Sequence, residues 1–153
     1  MAEEKTRMPA LGWREWVALP ELGIGRIKAK VDTGARTSCL HTFFVERFRR
    51  CGKSLLRFGV HPLQQRADKA IVCESELLDQ RIVSDSGGHR ENRYVIETIA
   101  IIGPDPHRIE LTLTDRDTMR FRMLLGRAAL KDQFLVDPAA SYLAGKPQTG
   151  AAP

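Results

Sequence analysis

The residues best suited to chemistry lie in a single Asp-Thr-Gly turn at positions 32–34. The alternation of apolar and charged residues over 24–31 predicts a strand that ends by presenting the Asp32 carboxylate. Thr33 can form local hydrogen bonds, while Gly34 can adopt a positive φ and lets another backbone or a ligand approach closely. The Asp32 carboxylate is therefore the leading candidate for a functional side chain in this sequence.

Other arrangements of reactive residues are weaker. Cys39 and His41 could supply two ligands of a metal site, but two ligands do not make a site, and no H-E-x-x-H motif accompanies them. Cys39 could also be a nucleophile paired with a distant histidine, although its ordinary flanks favour a buried structural thiol. The sequence has neither a P-loop motif nor G-x-S-x-G. We therefore expect no cofactor and no metal.

The elements that must position Asp32 are short strands. Alternating segments separated by turns, with hardly any helix, predict an all-β barrel or sandwich. Short helical turns are expected at 46–52 and 126–130, and a glycine-tipped hairpin is expected around 84–90. We expect one folded domain over residues 13–143, with disordered segments at 1–12 and 144–153.

Composition limits the environment and the partners. The 153 residues include Lys+Arg 24 against Asp+Glu 19, a net charge of +5, which favours nucleic acid or an acidic peptide as partner, or simply keeps the surface soluble. Nucleic acid is the weaker expectation because basic and aromatic residues do not interleave. Three cysteines, no apolar run of about 20 residues and no leader-like N-terminus predict a reduced, cytoplasmic protein without a membrane span.

The Asp-Thr-Gly turn, the hairpin with Gly87 and Gly88, and the downstream segment Leu124-Leu125-Gly126-Arg127 together resemble the retropepsin-like aspartic proteases. In that family the turn holds the catalytic aspartate, a glycine-rich hairpin forms the flap, and an apolar-apolar-Gly-Arg segment passes beside the active-site loop. The resemblance implies a closed retropepsin-like (acid protease) barrel with one or two short helices. It also implies a catalytic role for Asp32, Thr33 and Gly34.

The chain also resembles, over about residues 16–143, a bacterial family whose members commonly carry the name ATP-dependent zinc protease. The segments that carry this likeness surround Asp32, Tyr94, Thr112, Gly126 and Val136. Members often occur with an ATP-grasp glutamate ligase that adds glutamates to the C-terminus of a small-subunit ribosomal protein. The resemblance therefore implies trimming of acidic or glutamate-extended C-termini, and such a ligase as a possible partner.

Aspartic proteolysis needs two carboxylates that share one proton, as the aspartic proteases themselves illustrate. The chain has one Asp-Thr-Gly, and the nearest imitation, Asp117-Thr118-Met119, lacks the glycine. A single copy requires a homodimer in which the two Asp32 residues meet on a two-fold axis.

One departure from the retroviral members of the retropepsin-like proteases bears on substrate choice. They carry an acidic residue where this chain has Arg36, whereas the arginine at Arg127 is retained. We expect Arg36 and Arg127, with Arg90 or Arg93 from the flap, to bind substrate carboxylates; the alternative is that Arg36 pairs internally with Glu110 or Asp115. The complete set of expected substrate-binding residues is Ala35, Arg36, Gly87, Gly88, His89 and Arg127.

Three functions follow, in descending order of support. The first is a homodimeric aspartic peptidase acting on acidic or glutamate-extended C-termini. The second is a non-catalytic barrel that binds acidic tails or a partner ligase. The third is a zinc-dependent peptidase, as the family's common name suggests.

Overall fold

The computed structural model describes residues 8–63, 69–84, 87–115 and 120–147. Those residues are mostly strand, with one short α-helix, α1 (Arg127–Leu130), and a 3₁₀ turn at Pro20–Leu22. In chain order the strands are β1 (Ala10–Leu11), β2 (Arg14–Leu19), β3 (Ile24–Asp32), β4 (Ser38–His41), β5 (Phe44–Arg50), β6 (Lys53–Val60), β7 (Ile71–Glu76), β8 (Asp79–Ser84), β9 (Arg90–Ile102), β10 (Asp105–Thr114), β11 (Met123–Gly126) and β12 (Leu135–Val136).

Six of the strands form a closed ring of hydrogen bonds. Their order is β10-β4-β11-β3-β2-β9, and the antiparallel pairing of β9 with β10 closes the ring. β8 extends the sheet from β9 as the first half of a hairpin. The expected all-β closed fold with short helices is therefore confirmed.

Period-two alternation places the apolar residues of each strand inside the ring. On β3, Ile27, Ala29 and Val31 are buried, whereas the lysines between them point outward. Burying a side chain such as Ile27 contributes about 1.5–3 kcal/mol. This inward row fixes the register of β3, because a slip by one residue would move the charged row into the core.

A second sheet, β5-β6-β7, covers the ring, with Leu56 and Phe58 fully buried. The helical turn expected at 46–52 is wrong, because this segment is strand β5 followed by a two-residue turn. Cys51 and Gly52 both have positive φ (53° and 79°), as in a type I′ turn that joins antiparallel strands.

The folded domain extends beyond the limits expected from the sequence at both ends. β1 pairs in parallel with β12, and Leu11 is fully buried. The buried carboxylate of Glu15 accepts hydrogen bonds from the backbone N–H groups of Gly12, Leu143 and Ala144. Residues 10–12 and 144 therefore belong to the fold rather than to disordered segments, while 1–7 and 148–153 lie outside the described residues.

Within the described residues, every helix is too short or too polar to cross a membrane.

Candidate active site

Asp32 ends β3 and opens a tight turn. Its Oδ1 accepts a hydrogen bond from the Gly34 N–H at 3.1 Å, and its carbonyl oxygen accepts one from the Ala35 N–H at 3.2 Å. Gly34 does not use the positive φ that glycine allows. A Cβ at Gly34 would instead lie 3.2 Å from Asp32 Oδ1, so the missing side chain gives the carboxylate room.

A second segment passes close beside this turn. β11 runs parallel to β3, with Gly126 in register with Asp32. A Cβ at Gly126 would lie 2.6 Å from the carbonyl carbon of Thr37, a contact that backbone atoms cannot relieve by rotation. The Gly126 N–H donates to Ser38 Oγ at 3.0 Å, and the Arg127 N–H donates to the Ala35 carbonyl oxygen at 2.8 Å.

Arg127 supports the turn with its side chain. Its Nη1 donates to the carbonyl oxygens of Gly34 at 3.1 Å and Thr33 at 3.4 Å. These two acceptors lie on the backbone directly after Asp32, so the guanidinium fixes the position of the turn relative to α1.

Asp32 lines a groove of about 990 Å³. The active-site loop contributes Gly34, Ala35 and Arg36 to its lining, and Arg127 contributes from α1. β8 also contributes to the lining, with Ile82 62% exposed. The remaining lining residues are Thr37, Cys39, Arg81, Val83, Ser84, Arg93, Glu110, Thr112 and Leu124.

An adjoining pocket of about 590 Å³ shares Arg36 and Arg127 with the groove. Its other lining residues are Thr33, Ala128, Leu130, Lys131, Phe134 and Val136, so every charged residue in the lining is a cation. Lys131 is absent from the sequence-based candidates. The expected helical turn at 126–130 could have revealed it, because residues four apart share one helix face and Lys131 follows Arg127 by four.

Arg36 is exposed and, among the described residues, forms no ion pair. The alternative that it pairs with Glu110 is wrong, since Glu110 accepts from Arg81 Nη1 at 2.6 Å. Hydrogen bonds to Glu110 and Asp79 raise the pKa of Arg81. Asp115, the other suggested acid, is exposed just after β10 and likewise does not pair with Arg36.

Arg93 lies on β9 within the β8–β9 hairpin, opposite Arg81, and its side chain is buried along the groove. Its Nε donates to Glu91 at 3.1 Å, and its Nη1 donates to Cys39 Sγ at 3.4 Å and Thr112 Oγ1 at 3.5 Å. Burial raises the pKa of the Cys39 thiol in spite of the nearby guanidinium. A protonated, buried thiol is a poor nucleophile, which agrees with the structural interpretation of Cys39.

The hairpin expected as a flap is present, since β8 and β9 pair from Asp79 with Val95 to Ser84 with Arg90. Gly87, Gly88 and His89 lie exposed at its tip, and Gly88 has a φ of 84°. The hairpin lines the groove with residues of its strands, Arg81, Ile82, Val83 and Ser84 on β8 and Arg93 on β9, so these three tip residues stay predictions as substrate contacts. Residues 85–86 of the tip lie outside the described residues.

Across the described ranges, no group of three or more His, Cys, Asp or Glu side chains is arranged to hold a metal ion. His41 and Cys39, the two ligands considered from the sequence, both lie on β4 and are buried.

Comparison with known proteins bears on the same segment of chain. The family described as RimB-like, retropepsin-like aspartic endopeptidase RimB, matches residues 10–147. A probable alpha-L-glutamate ligase of Shewanella pealeana is 43% identical over 136 residues, which are 89% of this chain and 30% of the relative. A probable alpha-L-glutamate ligase of Parasynechococcus marenigrum is 46% identical over 140 residues, 92% of this chain and 30% of the relative. The chain therefore spans about a third of the length of these relatives.

Among solved structures, a Legionella pneumophila protein of unknown function, Lpg0085, has a similar fold. The two superpose with a TM-score of 0.71 at 26% sequence identity, over 89% of this chain and 98% of the other.

Proposed function

This chain belongs to the RimB-like family of retropepsin-like aspartic endopeptidases, and from that premise we propose that it is an aspartic peptidase acting through Asp32. The observation that carries the proposal is the position of the Asp32 carboxylate. It lines an open groove, in a turn held by the Gly34 N–H and by Arg127.

The proposed reaction is hydrolysis of a peptide bond by an activated water. One carboxylate takes a proton from the water as its oxygen attacks the carbonyl carbon, while a second, protonated carboxyl donates to the carbonyl oxygen. The resulting gem-diol then expels the amine, which takes up the proton that the first carboxyl removed from the water, and the gem-diol returns a hydroxyl proton to the second carboxylate. Two such carboxyls titrate as one coupled unit.

The second carboxyl is proposed to come from another copy of the chain. Within the described residues that line the groove, the other carboxylate is Glu110, and Arg81 already engages it at 2.6 Å. Thr33 and Gly34 are exposed, so the Asp32 turn is open to a second turn related by two-fold symmetry. A homodimer would then place two Asp-Thr-Gly turns together.

The proposed substrates are acidic protein ends, including glutamate-extended C-termini. Arg36 lacks an ion-pair partner among the described residues, and Arg127 and Lys131 join it around the adjoining pocket. Arginine's planar guanidinium binds carboxylates through two parallel hydrogen bonds. A glutamate side chain or a terminal carboxylate would relieve the repulsion between these cations.

The relatives named probable alpha-L-glutamate ligase contain a counterpart of this chain as about 30% of their length. We propose that the chain works with a glutamate ligase, either as part of the same polypeptide or as a separate partner. Removal of glutamates would oppose their addition. A purely non-catalytic role, in which the barrel presents acidic tails to the ligase, is the second candidate that these relatives favour.

Mixing wild-type protein with the Asp32→Asn variant tests the peptidase and the dimer together. If both Asp32 residues of a dimer are needed, activity on an acidic peptide falls as the square of the wild-type fraction after subunit exchange. A linear fall would mean that each chain acts alone and would overturn the paired-carboxylate mechanism. Full activity of Asp32→Asn itself would overturn the peptidase and leave the binding role.

A further inference from the structure

The strand that delivers Asp32 also carries a row of cations on the same face. Residues two apart on a strand share a face, so Arg26, Lys28, Lys30 and Asp32 all project from the outer side of β3. The buried residues between them, including Ala29 and Val31, confirm this alternation.

The neighbouring strand β2 adds a further cation to the row. Arg14 lies directly opposite Lys30, and Trp16 lies directly opposite Lys28 in the antiparallel register. We call Arg14, Arg26, Lys28 and Lys30 the cationic strip. Like charges placed directly opposite on paired strands repel each other and weaken the sheet unless an anion lies between them.

Aromatic rings hold several of these cations in place. The Lys28 Nζ and the Arg26 guanidinium lie 5.3 and 5.2 Å from the centre of the Trp16 ring. Tyr142 stacks on Trp16 at 5.7 Å, and the Arg14 guanidinium lies 5.1 Å from the Tyr142 ring. Among the described residues, no carboxylate forms an ion pair with any member of the strip.

The strip adjoins the groove. Leu124 of β11 lines the groove, as Asp32 does, and Leu124 is paired in register with Lys30 of β3. The distance along β3 from Asp32 to Arg26 is about 20 Å, at roughly 3.3 Å per residue. The cations recur every second residue, which is the spacing of same-side side chains in an extended peptide.

We propose that the cationic strip binds the part of an extended acidic peptide that lies beyond the groove, so that affinity increases with the length of the acidic tail lying along β3. This inference rests on the proposed function for the identity of its ligand, an acidic peptide whose cleaved bond lies at Asp32. Beyond the proposed function, we infer that Lys28 and Lys30 bind carboxylates several residues away from that bond and so add affinity. An acidic peptide is favoured over nucleic acid because the strip leads into the groove of Asp32, and because neighbouring cations already lie against the Trp16 ring that a base would stack on.

The test measures binding without cleavage. Labelled oligoglutamates of two, four and eight residues are titrated into the full chain carrying Asp32→Asn, and binding is followed by fluorescence anisotropy. We expect affinity to rise about tenfold or more from the shortest to the longest peptide, and the gain to shrink at high salt. The double variant Lys28→Glu/Lys30→Glu on the same background is expected to lose this gain, and Lys28→Arg/Lys30→Arg is expected to retain it.

A matched control variant separates an effect of the cationic strip from an effect of the protein's net charge. Arg47→Glu/Arg49→Glu changes the charge equally but lies on β5 in the second sheet, and is expected to keep the gain with length. Equal loss in both double variants, or a gain that survives Lys28→Glu/Lys30→Glu, would overturn the proposal. Tighter binding of an oligouridylate of equal charge, lost in the strip variant, would overturn it in favour of nucleic acid.

Cleavage assays on the wild-type chain keep the two proposals distinguishable. Strip-dependent binding without any hydrolysis would support the strip and overturn the peptidase. Hydrolysis that depends on Asp32 but is independent of tail length and of the strip would support the peptidase and overturn the strip.

Discussion

Gly126 lies in register beside Asp32, on a strand that runs parallel to the one carrying the carboxylate. The space for a side chain at Gly126 is filled by the backbone of Arg36 and Thr37, at 2.8 and 2.6 Å from an added Cβ. The loop that follows Asp32 can therefore take this path only if residue 126 is glycine.

Gly126→Ala is expected to destabilise the protein by about 1–3 kcal/mol, because two backbone segments must separate to admit the methyl group. Urea unfolding measures the change. Gly52→Ala is the control, since open space surrounds Gly52 and only its positive φ is penalised. A loss at Gly126 no larger than that at Gly52 would show that the loop can shift freely.

Charge reversal at Arg36 is expected to alter substrate preference. Arg36→Glu should lower the ratio of kcat/KM for an acidic peptide to kcat/KM for its glutamine counterpart by about tenfold or more. The reason is that a guanidinium, which donates hydrogen bonds to substrate carboxylates, is replaced by a carboxylate, which repels them. Arg36→Lys should give an intermediate ratio, since an ammonium lacks the planar pair of donors. Arg49→Glu, on the second sheet, is the control with equal charge change, and an unchanged ratio in Arg36→Glu would contradict the subsite.

Removal of the Glu15 carboxylate is expected to cost about 2–4 kcal/mol of unfolding free energy. The buried carboxylate accepts three backbone hydrogen bonds that tie Gly12 to Leu143 and Ala144, and Glu15→Ala would leave those N–H groups without their acceptor. Glu46→Ala on the exposed face of β5 should change stability by less than about 0.5 kcal/mol. Equal effects of the two substitutions in urea unfolding would show that the termini are held by other contacts.

Stability is expected to fall at alkaline pH through Cys73. Burial raises the pKa of this thiol to about 11 from 9.0, and its Sγ donates to the Leu22 carbonyl oxygen at 3.3 Å. Between these values the unfolded chain loses the proton first, so unfolding releases protons and stability decreases as pH rises from 9 to 11.

The loss attributable to Cys73 is at most about 2–3 kcal/mol. Unfolding free energies at pH 8 and pH 10.5 measure it, compared between wild type and Cys73→Ala. The variant should show a smaller decrease over this interval, although Cys39, whose pKa is also raised by burial, contributes to what remains. Identical decreases in the two proteins would contradict the assignment to Cys73.

The strand that carries Asp32 was predictable because alternation is a local property. Each buried residue of β3 is two positions from the next, and the turn follows immediately. The segment at 46–52 was predicted wrongly because Gly52 ends helices and also forms type I′ turns. Only the partner strand β6 decides between the two.

Side-chain partners were harder to predict than strands. Glu110 lies in a regular alternating segment that fits a pairing with Arg36 as well as one with Arg81. The choice of Arg81 depends on β8 and β10 flanking β9 on its two sides, which is a property of the closed ring. The reason for glycine at position 34 was likewise not predictable, because it depends on where the Asp32 carboxylate lies in the folded turn.

By itself the sequence determined the all-β class and the turn that presents Asp32, because both follow from the order of neighbouring residues. It also determined that the chain has one such turn, because Asp-Thr-Gly occurs once in the sequence. Only the tertiary structure decided which surfaces meet. It brought Lys131 to the pocket beside Arg36, placed Arg81 on Glu110, and aligned Arg14 with Lys30 on the face that leads to Asp32. Such contacts join residues far apart in the chain, and their geometry is set by strand register and ring closure rather than by local preference.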